Sequence, residues 1–417
     1  MKRGLNLILL CAVLMWGSLT ALAQDAIELR LLCFEDGNEC EVYADLLAQF
    51  SEINPDIQVS VDVTAEEEML ERLQAAYDAD AAYDIARSKR GWMRGIYLDF
   101  RPLLGEALTA NFRPVYFEFL RVLPDDRGIY AFPDALGVVA PFVNVSLFEQ
   151  AGVPLPAQGA SWDEWLAALD EVVRAADASY VLAVDNKDHR LVGPAMSLGA
   201  AYFDEAGRLT LPDDDGLREF LQILHGLMDE GKTPADTLLG TGKSQDYFVR
   251  GETVMYICGS WKVEEVAAQV GDAFEWAIVP NPSGSAGGTG VVQATMLVAY
   301  ADTKESDAVA KVFKYLLEPE VSAEFAARTL TIPAREDLAA SGIDYQTDNS
   351  DVAVALNAFA REVPKLQDQA IALDLHPLAA VYYEASNAFL RAYFASELTL
   401  DEALAGLRAR LGGAGAP

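Results

Sequence analysis

Residues able to do chemistry are plentiful in this chain, yet most of their patterns fail on context. Gly240-Thr241-Gly242-Lys243-Ser244 has the closing half of a phosphate-binding loop. The position for its opening glycine is Thr237, and no strand-like run leads into it, so the backbone cradle such loops build is not specified. Gly284 to Gly290 is glycine-dense, but it precedes a strand-like run rather than a helix N-terminus, where a dinucleotide pyrophosphate would sit. Freedom for close backbone approach is the use left to it. With 64 carboxylates, acid and nucleophile pairs can be drawn almost at will, and no spacing singles one out for glycoside hydrolysis. Tyr382-Tyr383 could present phenolates to ferric iron, but Leu378, Val381, Phe389 and Tyr393 continue a helical apolar face around them, which predicts core packing. His189, His225 and His376 share no metal-ligating spacing, so neither a metal nor a cofactor is expected.

The N-terminus sets the compartment. Lys2 and Arg3, an apolar stretch from Leu5 to Trp16 and the small residues around Ala21-Leu22-Ala23 read as a secretory signal over residues 1–23. Leu10 before Cys11 argues against a lipid anchor. An exported chain, periplasmic or extracellular, is expected. The signal holds two of the 31 basic residues, leaving 29 basic against 64 acidic ones. That balance repels nucleic acid and anionic lipid. Cys33 and Cys40, seven apart in an oxidising compartment, are expected to form a disulfide, while Cys258, inside an apolar run, reads as a buried small hydrophobe.

The elements that must position any site follow from periodicity. Ile27 to Leu32 is a strand-like run, Val42 to Phe50 repeats at helical spacing, and Ile57 to Val63 alternates as a second strand. Thr64 with Glu67 forms a capping-box pattern, and Tyr83 to Ala86 reads as a third strand. This β-α-β-α-β start predicts an α/β fold with a mainly parallel sheet covered by helices. Gly128 to Phe132 and Val138 to Val145 are extended again, and Ser161-Trp162-Asp163-Glu164 is a second capping box opening a helix. Residues 216–231 form an amphipathic helix, Thr253 to Cys258 and Trp276 to Val279 are strands, and Val291 to Tyr300 is the most strand-like run of the second half.

Several segments together carry a resemblance. These are Gly128-Ile129-Tyr130-Ala131-Phe132-Pro133, Asn144, Leu147-Phe148-Glu149-Gln150-Ala151-Gly152, Ser161-Trp162-Asp163-Glu164, Phe248 to Gly251, Gly259-Ser260-Trp261, Pro280-Asn281-Pro282 and Ile332-Pro333-Ala334-Arg335. In this order the sequence resembles the family 1 extracellular solute-binding proteins of ABC importers. The resemblance spans nearly the whole chain after the signal. It departs at the charged Arg87-Ser88-Lys89-Arg90 and at the Cys33/Cys40 pair, which is not a general family feature. It implies a two-lobed periplasmic-binding-protein fold of type II, with a cleft between the lobes. The N-terminal lobe would comprise residues 24–135 plus 291–333, and the C-terminal lobe 136–290 plus 334–417. Crossovers are expected near residues 134–140, 288–293 and 332–337.

A non-enzymatic, monomeric receptor that captures a sugar by hinge closure and delivers it to a membrane permease is the function implied. A sugar offers apolar ring faces and a belt of hydroxyls, so its site needs aromatic platforms and planar polar groups. Trp261, after Gly259-Ser260 at a strand end, matches the family tryptophan, and Trp92 is a second candidate. Phe34 and Glu35 end the first strand and are expected at the cleft edge. Arg87 could hold a carboxylate or a sugar hydroxyl, which keeps an acidic sugar open. Asp134, Thr289 and Arg335 are placed at the site by their proximity to the expected crossovers. Other solutes (a polyol phosphate, a polyamine, a ferric complex) or an exported glycoside hydrolase are the alternatives.

Overall fold

The computed structural model describes residues 26–414 apart from 80, 81, 90–92, 124 and 212–214; the expected signal 1–23 and Trp92 lie outside the described residues. Among the described residues there are eight strands: β1 (Ile27–Phe34), β2 (Ile57–Thr64), β3 (Ile85–Ser88), β4 (Ala131–Asn144), β5 (Tyr180–Ala183), β6 (Thr253–Gly259), β7 (Trp276–Ile278) and β8 (Val292–Ala299). Their order is β2-β1-β3-β8-β4-β6-β5, with β7 pairing to β4. β1 runs parallel to β2 and β3, and β5 parallel to β6, whereas β8 is antiparallel to both β3 and β4. The first crossover is a helix, Glu39–Ile53, whose Val42, Leu46, Leu47 and Phe50 are buried against the β1–β2 pair.

β4 is the element that joins the two halves. The sequence suggests two extended runs broken around Pro133 and Gly137, but one strand of 14 residues passes through both. A register shift between Pro133 and Ala135 absorbs the proline, which lacks a ladder donor. Ala131 to Val138 pairs with β8, while Val139 to Val143 pairs with β6. The segments near residues 288–293 and 332–337, expected to pass between the halves, come to the same strand: Val139 N–H donates to the Val291 carbonyl, and Leu136 N–H donates to that of Ile332. Two cores meet along β4, Val138, Ala140 and Phe142 belonging to one and Val139 and Val143 to the other. One is built on Leu29, Leu31, Ile85, Phe132 and Met296 and extends to Tyr256, Val263 and Phe359. The other is built on Val143, Trp162, Leu182, Phe220 and Met255 and extends to Tyr382 and the C-terminal helix Leu400–Ala414.

Local chemistry follows the sequence at some elements and not at others. The Ser161 capping box forms, Ser161 Oγ accepting from Glu164 N–H and Glu164 accepting from Ser161 N–H. Thr64, expected to cap a helix, instead ends β2; its hydroxyl is buried without a partner, and the next turn is a 3-10 segment, Glu66–Glu68, with no side-chain cap. Tyr382 is buried in the second core, in line with the packing reading. The Gly240 to Ser244 segment binds its own chain: Ser244 donates through N–H and Oγ to Asp185 Oδ1.

Candidate ligand cleft

At the carboxyl ends of β1, β3 and β6 the chain leaves a cavity of about 650 Å³, where open α/β folds place ligands. Its floor is a patch of two-stranded sheet. Ala135 and Gly137 of β4 stand opposite Thr295 and Gln293 of β8, and all four line the cavity. Small side chains on one strand thus leave room for the polar ones on the other. One wall is the loop from Asp36 to Asn38 with Glu39, together with Lys89; the facing wall is Ser260, Trp261, Val263 and Glu264, and residues 328–331 close one side.

Trp261, on this wall, is 39% exposed. Its indole packs on backbone, the ring covering the positions where Gly137 and Gly259 lack a Cβ, with His189 5.6 Å away between ring centroids. Ser260 Oγ accepts from Val138 N–H at 3.2 Å, tying this turn to β4. The indole N–H of Trp261, the amide of Gln293, the hydroxyl of Thr295 and the carboxylate of Glu264 have no hydrogen-bond partner among the described residues and are open to a ligand.

The cations of the cleft wall are already engaged. Arg87, 1% exposed, donates from Nε to Asp134 Oδ2 at 2.7 Å and from Nη1 to the Phe34 carbonyl, with Nη2 3.8 Å from Glu39 Oε1. Its guanidinium lies 4.9 Å over the Phe34 ring. Burial works against its charged form, but the Asp134 and Glu39 carboxylates outweigh burial and hold the group protonated. Tyr43 completes the cluster by donating to Asp134 Oδ2, and burial with that carboxylate pushes its phenol well above the usual range. Lys89 pairs with Asp36 at 3.1 Å and Glu66 at 3.0 Å, and Arg328 pairs with Asp45 and Glu324.

Of the residues singled out in the sequence, the fold brings Trp261 and Arg87 to the cleft, the latter as a saturated ion under its wall. Phe34 and Asp134 form the layer behind Arg87 and do not line the cavity. Glu35 points to solvent, past the end of β1. Thr289 is buried at the lobe junction, its hydroxyl donating to the Gly290 carbonyl and accepting from Gln367 N–H. Arg335 is spent on Asp337 and the Leu317 carbonyl. Proximity to an expected crossover is what singled these two out, and neither lines the cavity. The sequence reading missed Gln293 and Thr295. The signal for them was polar side chains at alternate positions of an otherwise apolar strand, Val292-Gln293-Ala294-Thr295-Met296.

Cys33 and Cys40 are bonded, and the disulfide ties the end of β1 to the first turn of the helix Glu39–Ile53, closing the loop that carries Asp36 and Asn38 onto the cleft wall. Cys258 is free and buried, with the Arg190 guanidinium 3.2 Å from its sulfur. No cluster of metal-ligating side chains occurs among the described residues.

Residues 40–323 match the family of bacterial extracellular solute-binding proteins. The chain belongs to this family. No helix of the solute-binding protein is long and apolar enough to cross a membrane among the described residues. Solved structures share its architecture across nearly their whole length. A cyclic alpha-maltosyl-1,6-maltose binding protein from Arthrobacter globiformis superposes with a TM-score of 0.75 at 18% identity, covering 93% of this chain and 98% of that one. The sugar-binding protein MalE from Xanthomonas citri gives 0.72 at 19%, covering 93% and 96%. The GacH receptor of Streptomyces glaucescens, solved unliganded and with acarbose, gives 0.67 at 21%, covering 92% and 97%. No curated protein matches the chain.

Proposed function

We propose that this solute-binding protein captures a neutral oligosaccharide between its lobes by hinge closure and hands it to an ABC permease. The observation that carries the reading is the exposed Trp261 indole beside the uncharged Gln293 and Thr295. An aromatic face next to planar and hydroxyl hydrogen-bonding groups suits a ring with apolar faces and a hydroxyl belt. The named ligands of the structural relatives, a cyclic maltosyl-maltose and acarbose, are of this chemical kind. The pairing of Arg87, Lys89 and Arg328 with carboxylates favours an uncharged sugar over an acidic one.

In this reading residues 1–23 export the chain, and the mature protein works as a monomer outside the cytoplasmic membrane, without turnover of its ligand and without nucleic acid as a partner. The lobes are residues 24–135 with 291–333 and 136–290 with 334–417, sharing β4 as the hinge strand. Closure needs a ligand that contacts both walls, since only a difference in contacts between open and closed forms shifts their populations. Moving from 1:99 to 99:1 takes about 5.5 kcal/mol of preference.

A thermal-shift screen of the chain from Gln24 onward against neutral oligosaccharides, uronates, polyamines and phosphates tests the reading. A ligand held at a hundred times its Kd adds about 2.7 kcal/mol of stability. A shift with a neutral oligosaccharide is expected; shifts confined to uronates, phosphates or polyamines would refute the assignment.

A further inference from the structure

Neither of the two glycines beneath Trp261 is required by its backbone. Gly259 has φ −99°, and Gly137 is absent from the residues with positive φ, so any L-residue could adopt either conformation. What the positions cannot hold is a side chain. A Cβ at Gly259 would lie 2.0 Å from Cζ3 of the Trp261 indole, and one at Gly137 would lie 2.8 Å from its Cε3 and 3.0 Å from Cζ3. Carbon atoms pack best at about 3.5–4.0 Å, so the ring occupies the space that a side chain at 137 would take. Gly259 is close in the chain to the tryptophan, but Gly137 belongs to a different strand, and its contact with the ring is tertiary.

The seat of the ring is also the place where the lobes are joined. The residue before Gly137 donates its N–H to Ile332 on the third crossover, the residue after it donates to Ser260 Oγ, and Gly137 itself pairs with Gln293 on β8. We infer that Gly137 is a positioning residue for the ligand platform: its missing side chain lets the Cε3–Cζ3 edge of the Trp261 indole abut the hinge strand, so that a ligand stacked on the ring is held beside the hinge itself. This rests on the carbohydrate reading of the cleft. With alanine at 137 the Cε3–Cζ3 edge of the ring must move by roughly 0.7–1 Å to restore ordinary contact, which displaces the platform relative to Gln293 and Thr295 on the floor.

A double-mutant cycle tests it. Affinities are measured for the wild type, Gly137→Ala, Trp261→Ala and the double variant, with maltotetraose as the first probe and otherwise the neutral oligosaccharide giving the largest thermal shift. Gly137→Ala is expected to weaken binding about threefold to tenfold, and to cost nothing further once Trp261 is alanine. No loss in the wild-type background, or the same loss in both backgrounds, would overturn the inference while leaving the carbohydrate reading intact. Wild-type affinity in Trp261→Ala would instead overturn the platform. Should Gly137→Ala fail to fold, recovery of folding in the double variant supports the ring contact, and failure in both overturns it. If no carbohydrate binds, the reading of the cleft falls, and the contact is judged by acrylamide quenching of Trp261 taken as wild type minus Trp261→Ala. Greater quenching in Gly137→Ala upholds the contact, and unchanged quenching refutes it.

Discussion

Arg87 faces Asp134 and Glu39 with a single guanidinium, and all three side chains are at least nine-tenths buried. Asp134 Oδ1 and Glu39 Oε2 have no hydrogen-bond partner, so the cation, with the Tyr43 hydroxyl on Asp134 Oδ2, is what offsets the burial of the two carboxylates. Removing one member of a buried ion cluster leaves uncompensated charge and typically costs about 3–5 kcal/mol. Arg87→Ala is expected to lose stability on that scale in urea unfolding; a loss under about 1 kcal/mol would show that the cluster is dispensable. Arg87 also shows what a sequence can and cannot tell. Its type and place at the end of β3 were legible, and so was its nearness to the cleft. Its saturation was not, because Asp134 and Glu39 lie 47 residues later and 48 earlier in the chain and meet it only in the folded sheet.

Among the elements, the loop between β1 and the helix Glu39–Ile53 is held by Cys33–Cys40. A closed loop of about eight residues contributes about 2.5 kcal/mol by limiting the unfolded chain. Cys33→Ser with Cys40→Ser should therefore lower the unfolding free energy by about that amount. Because Asp36, Asn38 and Glu39 stand on the cleft wall, ligand affinity should fall as well. Unchanged affinity in the folded double variant would show that the loop is positioned without the bridge. The alternation of strands and helices, the Ser161 cap and the extended character of Val291 to Tyr300 were legible because each depends on local pattern. The continuity of β4 was not. Pro133 and Gly137 are ordinary strand breakers, and only the pairing partners β8 and β6, more than a hundred residues away, keep the strand whole. Thr64 failed as a cap for a related reason: parallel pairing with Phe34 carries β2 through it.

At the scale of the molecule, one core runs from Leu29 and Phe132 through Tyr256 to Phe359, a second packs against β4 at Val139 and Val143, and the cleft opens beside Ala135 and Gly137 of the same strand. Closure of the lobes in the proposed reading would bend the chain at the few segments that pass between them. The net charge of −33 keeps the chain apart from other acidic surfaces, while the residues free to touch a ligand in the cleft are mostly uncharged. The most direct test of the account is small-angle X-ray scattering of the mature chain titrated with neutral oligosaccharides. A saturable fall in radius of gyration with one of them, lost in Trp261→Ala at the same concentration, is the predicted result. An unchanged radius with every carbohydrate, together with compaction by a polyamine or a phosphate, would contradict it.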